Sequence, residues 1–586
     1  MTFKKRAFGG VAVATSAALV LSACGGGEET STATANVGYE DCVDDPAGCN
    51  AGERAEGGEI EWGVSDAWSG WNDLRADANT AYLSQAIWPG RYDVGDFGPD
   101  EKFVYNDGWF EQEPEKTSDD PLTVKYTLKE GAGWSDGTPF SLDDAIFSWH
   151  HMSGNEDHCS AECQPASLDW GAQVDDMKEA DDGKAIEVTY KDGYQTAEWM
   201  FKTLFTFPAH IVEDEGGFAD WKDDPEVMGE ASKWLNETAP TWSSGPFVPT
   251  DAKLGEYIEY EPNPEWKGSD QPTLDKLTIK AMPGGLSTIA DAMRNGEIDG
   301  ATPADFDVDN VEKLHDGSGY NWAVTDGGAW THMDINTQSG QLQDIELRKA
   351  IFTAIDVENI IDRTLPDMGT ERRGNHIFGP KSDNYKDHAG DANQGMGDVE
   401  GAKKILEDAG YTLDGDTLTD PDGEPVKFDF RAGADNKTRQ QTGELVQAQL
   451  REIGIEVTLD PIPTGKLGEV LGNSEFDMVI FGWSGNPAFT LAPEQYWGED
   501  SSSNFGQFGA EGLQDAIDKV TSTTDLGEAA EFANEADKIA TEGAYSLALN
   551  TDPEVAMAND ELVNVRPNGQ SQQKSLYNVA QWGLAK

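Results

Sequence analysis

The chain has 586 residues, 37% of them hydrophobic, with 18 tryptophans. That is ample material for folded interiors, spread over more than one lobe because a single core does not grow to this length. Lys and Arg number 42 against 109 Asp and Glu, a formal charge of −67. So negative a surface repels phosphate backbones, which excludes a nucleic-acid-binding role, and it suits saline surroundings where screening relieves self-repulsion.

Lys4, Lys5 and Arg6 open the chain, and Phe8 to Ala23 follows as an uncharged run of small and apolar residues. It is too short to span a bilayer comfortably and reads as an export signal over 1–23. Leu21-Ser22-Ala23-Cys24-Gly25 resembles the lipobox of bacterial lipoproteins. The resemblance implies cleavage before Cys24 and lipid on its thiol, holding the protein at the outer face of the cell membrane. Residues 24–57, rich in Gly, Ala, Thr and acids, read as a flexible tether. Cys42, Cys49, Cys159 and Cys163 remain, two close pairs in an exported chain. They point to short-loop disulfides 42–49 and 159–163, with the two other connectivities open.

The folded body begins at the alternating run Glu59 to Val64. Leu122, Val124, Tyr126 and Leu128 alternate as a strand buried on one face. Asp136-Gly137 is a turn, and Ser141 with Asp144 caps a helix whose Leu142, Ala145, Ile146 and Trp149 share a face. Further helices carry Leu347, Ala350, Ile351, Ala354 and Ile355, and then Ala402, Ile405, Leu406 and Ala409, stopped by Gly410. Leu445 to Ile453 leads through Gly454 into a strand, Ile455 to Leu459, and Met478 to Phe481 is a buried strand. The class is α/β with mixed sheets.

Motifs for covalent chemistry fail on inspection. Gly133-Trp134-Ser135-Asp136-Gly137 fits G-x-S-x-G, but a nucleophile elbow needs a helix directly after the serine. Thr138 precedes Pro139, which pushes it out of the α region, so a hairpin is expected. No phosphate-binding P-loop and no H-E-x-x-H occur. Asp414 to Glu424 has Leu418 where a calcium loop needs an acid. His150, His151 and His158 beside Cys159 and Cys163 suggest metal ligands, but an oxidising compartment consumes the thiolates. No catalytic residue, resident metal or cofactor is expected.

The run from Lys125 through Trp134-Ser135-Asp136-Gly137-Thr138-Pro139-Phe140 to Asp144 and Trp149 resembles the signature of family-5 extracellular solute-binding proteins. These are the peptide/nickel-type receptors of ABC importers. Phe207-Pro208-Ala209-His210-Ile211, Ser244-Gly245-Pro246-Phe247, Asn263 to Gly268, Asn295 to Asp299, Leu347 to Asp356 and Gly482-Trp483 follow in that family's order. The resemblance implies a bilobal periplasmic-binding-protein-like fold with a central cleft and an inserted domain. Lobe I is expected at 58–85, 236–328 and 550–586, the inserted domain at 86–235, and lobe II at 329–549. It also implies a monomeric, non-enzymatic receptor that takes an oligopeptide or related small solute and delivers it to a permease. Gly482, Trp483 and Ser484 would run along the ligand, and Asn486 stands where peptide-binding members carry an Asp for the α-amino group. Trp68, Trp71, Trp242 and Trp330 fall at loop or strand ends suited to a cleft wall, with Phe489 and Tyr496 as lesser candidates. The alternatives are a receptor for a metal chelate such as a nickel complex, a sensor, and a hydrolase using Ser135.

Overall fold

The computed structural model describes residues 38–586 except 203, 304–319, 367, 435, 464–465 and 486. Cys24 and Asn486 therefore lie outside the described residues. The chain builds one ten-stranded mixed sheet and a separate four-stranded antiparallel sheet.

Strand β1 (Glu59–Val64) lies in the large sheet. The small sheet holds β2 (Glu115–Asp119), β3 (Leu122–Thr127), β4 (Val174–Ala180) and β5 (Ala185–Tyr190), in the order β2-β3-β5-β4. In β3 the burial alternates strictly, as the period-two pattern requires. The large sheet continues with β6 (Phe247–Lys253), β7 (Tyr257–Pro262), β8 (Lys276–Ala281), β9 (Gly300–Ala301), β10 (Tyr320–Ile335), β11 (Lys427–Arg431), β12 (Glu456–Leu459), β13 (Met478–Ser484) and β14 (Ser546–Asn559). Its order is β12-β11-β13-β10-β14-β9-β1-β8-β7-β6. The long antiparallel pair β10 and β14 thus joins two groups of shorter strands; one apolar core runs from Leu286 and Ala301 across to β11, β12 and β13, and a second packs against β1, β7 and β8.

Midway along that pair the ladder slips. Asp326 pairs with Pro553, but the next partners are Trp330 and Thr551, so Gly327, Gly328 and Ala329 bulge opposite Asp552. Three backbones meet at the bulge. A Cβ on Gly328 would lie 2.3 Å from the Gly485 carbonyl oxygen, and one on Gly569 would lie 1.9 Å from that of Asp326. Only glycine permits this approach.

Helix Leu142–Met152 begins with the expected capping box between Ser141 and Asp144. Asp144 does more than cap: its carboxylate also accepts from the Ala209 amide (2.8 Å) and the Trp134 indole (3.2 Å). One buried acid therefore ties the hairpin, the helix and the Phe207-Pro208-Ala209 block together. The hairpin is as read, with Gly133 bridging to Pro139. Ser135 accepts the Ser243 amide through its hydroxyl, and no helix follows it directly, so the elbow geometry is missing.

Two features differ from the sequence reading. The tether expected over 24–57 is packed against the body along 38–57. Tyr39 is fully buried, Asn50 donates to the Val565 carbonyl, and Arg54 donates to that of Ala580. The helix expected to run through Ile355 ends at Ala354, because Asp356 opens a new helix, Val357–Thr364, as its cap.

Candidate functional site

Strand β13 carries Gly482, Trp483 and Ser484 along the end that reaches the bulge. There Trp483 pairs directly with Trp330, and Ser484 with Ala329. Strand β11 pairs with β13 only at Met478 and Val479. Beyond Val479 that edge of β13 has no strand partner among the described residues. Trp330 is buried, Trp483 half-buried and Ser484 exposed. Tyr496 stacks on Trp483 at 5.1 Å and meets Trp330 edge-on at 5.7 Å, so the two secondary aromatic positions split: Tyr496 joins this wall, while Phe489 packs on Phe378.

Charges surround this aromatic group. The Arg373 guanidinium lies 4.8 Å from the Trp330 ring centroid. It donates to the Asn375 and Ile377 carbonyls, and no carboxylate contacts it among the described residues. Burial pushes its pKa down. Its loop is pinned by Asp537, which accepts from His376 Nδ1 (2.7 Å), the His376 amide (2.9 Å) and His388 Nδ1 (2.6 Å). Burial alone would raise Asp537, but these donors hold its carboxyl below the usual range. Arg439 sits over Gly482, where a Cβ would come within 2.5 Å of Nη2. It also lies 3.6 Å from Asp552, the residue opposite the bulge. Asp552 accepts the Thr331 hydroxyl at 2.7 Å, and burial pushes its carboxyl up against the opposing pull of Arg439.

The region holding the small sheet touches the β13 side directly. Glu198 Oε1 accepts from the amides of Phe489 (2.7 Å) and Thr490 (2.9 Å), in the loop after Ser484. Ala197 packs with Phe378, Phe489 and the Ala529–Ala533 helix face. Trp199 donates to the Thr524 carbonyl, and Lys116 to its hydroxyl. On a third segment, Glu101 at a hairpin tip bonds Ser382 and feels Arg373.

Trp68, Trp71 and Trp242 are buried elsewhere, Trp68 and Trp71 in the core against β1, β7 and β8 and Trp242 in the core of the small-sheet region. Trp68 and Trp71 meet edge-on at 6.0 Å, and Trp242 meets Trp134 at 5.5 Å. Trp71 and Trp242 share a void of about 10 Å³ beside Arg91. Arg91 also lines a polar cavity of about 210 Å³ with Asp73, Trp88, Thr206 and Gln573. The structure thus brings Trp330 and Trp483 together in one group and Trp71 and Trp242 in another.

Both disulfides form as read, Cys42–Cys49 and Cys159–Cys163. His150 and His158 stack at 4.2 Å, while His151 bonds Ser232 and Asn72. Burial pushes His150 and His151 each down to about 3. Sequence reasoning missed Glu198, Arg373, Arg439 and Asp552. No local signal marks them, since their partners lie far away along the chain.

A sheet in two groups joined by long crossing strands, with a glycine bulge beside an aromatic wall, defines a two-part α/β binding protein of the periplasmic type. A family model, bacterial extracellular solute-binding proteins, family 5 (middle), matches residues 107–505, and the chain belongs to that family. It is 26% identical over 523 residues to the oligopeptide-binding protein OppA of Mycobacterium tuberculosis, covering 88% of this chain and 83% of that one. It is 25% identical over 491 residues to the oligopeptide-binding protein AppA of Bacillus subtilis, covering 80% and 82%. Among solved structures, the periplasmic EDTA-binding protein EppA is similar at a TM-score of 0.79 and 27% identity, covering 92% of this chain and 99% of that one.

Proposed function

We propose that the protein is the receptor of an ABC importer, anchored through lipid on Cys24, that captures an oligopeptide or related small solute between two lobes. Lobe I comprises 58–85, 236–328 and 550–586, the inserted domain 86–235, and lobe II 329–549. The observation that carries this reading is the edge of β13. Gly482, Trp483 and Ser484 offer backbone groups that an extended ligand can pair with as an added strand, beside an aromatic wall.

The glycine bulge in β10 supplies the hinge, because bending there leaves the ladders on either side intact. Ligand touching both lobes favours the shut form in proportion to its differential affinity, and the shut form is what a permease would recognise. Closure is supported by Glu198, Trp199 and Lys116, which bond across to the loop after β13 and to Thr524.

Mass spectrometry of solute carried through purification tests the reading without a guess at the ligand. A peptide pool should raise the melting temperature, since ligand at 100 times Kd stabilises by about 2.7 kcal/mol. No carried solute and no shift with any peptide class would overturn it. A metal-chelate receptor is the second reading, favoured by the likeness to EppA.

A further inference from the structure

The cavity of about 210 Å³ is walled by the turn after helix Ala81–Ile87, by Phe205 and Thr206, and by Gln572 and Gln573 near the C-terminus. Five of its polar side-chain atoms are buried and meet no hydrogen-bond partner. They are Asp73 Oδ1, Trp88 Nε1, Arg91 Nη1, Thr206 Oγ1 and Gln573 Oε1. Trp88 is 6% exposed and Thr206 2%, so these groups belong to the interior. Buried polar atoms without partners are rare and costly, and five around one space mark a place built to meet hydrogen-bonding groups.

The charges decide which groups. Arg91 and Asp73 pair through Nη2 and Oδ2, and the guanidinium is held over Phe207 at 5.5 Å. That pairing leaves one free donor end, Nη1, and one free acceptor end, Oδ1, each on a charged group. The lining is therefore matched to a solute with an ammonium and a carboxylate, and mismatched to a polyanion. Its volume is below the roughly 300–1,000 Å³ typical of pockets for drug-sized ligands.

Resting on the receptor reading above, we infer that this cavity takes a free α-amino acid as its zwitterion and rejects polyanionic chelates. The ammonium donates to Asp73 Oδ1 and Gln573 Oε1. The carboxylate accepts from Arg91 Nη1 and Trp88 Nε1, and Thr206 serves either group.

The test is calorimetric titration of the mature protein, stripped of carried solute, with L-alanine, L-serine, L-asparagine and nickel–EDTA. At least one amino acid is expected to give saturable heat, and any heat from nickel–EDTA, which the β13 edge could itself supply, is expected to be unchanged by Trp88→Phe or Thr206→Val. Thr206→Val keeps shape and Trp88→Phe keeps an aromatic ring, each removes one hydrogen-bonding group, and each is expected to weaken amino-acid binding about tenfold. Melting temperatures near that of the parent check their folding. Nickel–EDTA binding that either variant weakens, amino-acid binding equal to the parent's in both variants, or no heat with any amino acid because the cavity holds only water would overturn the assignment. A protein that still carries another solute through purification would lose this assignment alone. One with no carried solute and no peptide response would lose the receptor reading as well.

Discussion

Glu198 and Phe489 are 291 residues apart, yet one carboxylate oxygen accepts the Phe489 amide at 2.7 Å and the next amide, Thr490, at 2.9 Å. The acid is 5% exposed, and the loop it grips directly follows the strand bearing Trp483. The contact couples the small-sheet region to the proposed ligand edge. Glu198→Ala should leave two amides unmet, at a cost of about 1–3 kcal/mol each if they stay buried. Hydrogen exchange at Phe489 and Thr490 should rise while the amides of β10 stay protected. Glu198→Gln, which keeps an acceptor, should fall between.

The three-glycine contact at the bulge makes a steric prediction. Gly328→Ala places a Cβ 2.3 Å from the Gly485 oxygen, a distance real side chains do not tolerate. The backbones must separate, at about 1–3 kcal/mol. Calorimetry should show a lower melting temperature, whereas Gly468→Ala, with open space around its Cβ, should show little change.

Acid should destabilise the small-sheet region through its buried histidines. His150 and His151 are each pushed down to about 3 in the folded chain, against about 6.5 when unfolded. Between those values the unfolded state binds protons that the folded state refuses, so stability rises with pH and falls on acidification. The slope should approach about 1.4 kcal/mol per pH unit per histidine. Denaturant titrations at pH 6.5, 5.5 and 4.5 measure it, and His150→Phe should make the dependence shallower.

Asp537 adds to acid sensitivity at lower pH. Its folded value is depressed, so its stabilisation is complete above the unfolded value of about 3.9 and is lost as pH falls through the folded value. Asp537→Asn should remove this part of the pH dependence. It should also free the loop carrying Arg373, visible as faster exchange of the His376 amide.

A formal charge of −67 predicts a salt response of the opposite sign to that of a protein held by surface ion pairs. Raising salt from 0.1 to 1 M shortens the screening length from about 10 to about 3 Å. Self-repulsion weakens and the melting temperature should rise. A fall would mean that the surface pairs outweigh the repulsion.

The local elements were legible from residues alone where one short segment carries the whole signal. Ser141 and Asp144 are three apart and cap the same helix, and Leu122 to Tyr126 alternates on one strand. The hairpin at Gly137 follows from the Thr138-Pro139 pair and a glycine with positive φ. Residues 38–57 were misjudged because their polarity suggested a free tether. What holds them is side chain to backbone bonding with the C-terminal segment, more than 500 residues away.

The amino-acid sequence by itself carried the family resemblance, the two close cysteine pairs, the capped helices and the expectation that Gly482 and Trp483 run along the ligand. All of these rest on neighbours in the chain or on ordered blocks. The tertiary structure decided that Trp330 faces Trp483, that Arg439 covers Gly482 opposite Asp552, and that Asp73, Trp88, Arg91, Thr206 and Gln573 wall one polar space. The first two arise from strand register and packing around β10, β13 and β14, and the third from loops and a helix end brought together by the fold. Register is set by packing over whole sheets, and no short run of residues encodes it.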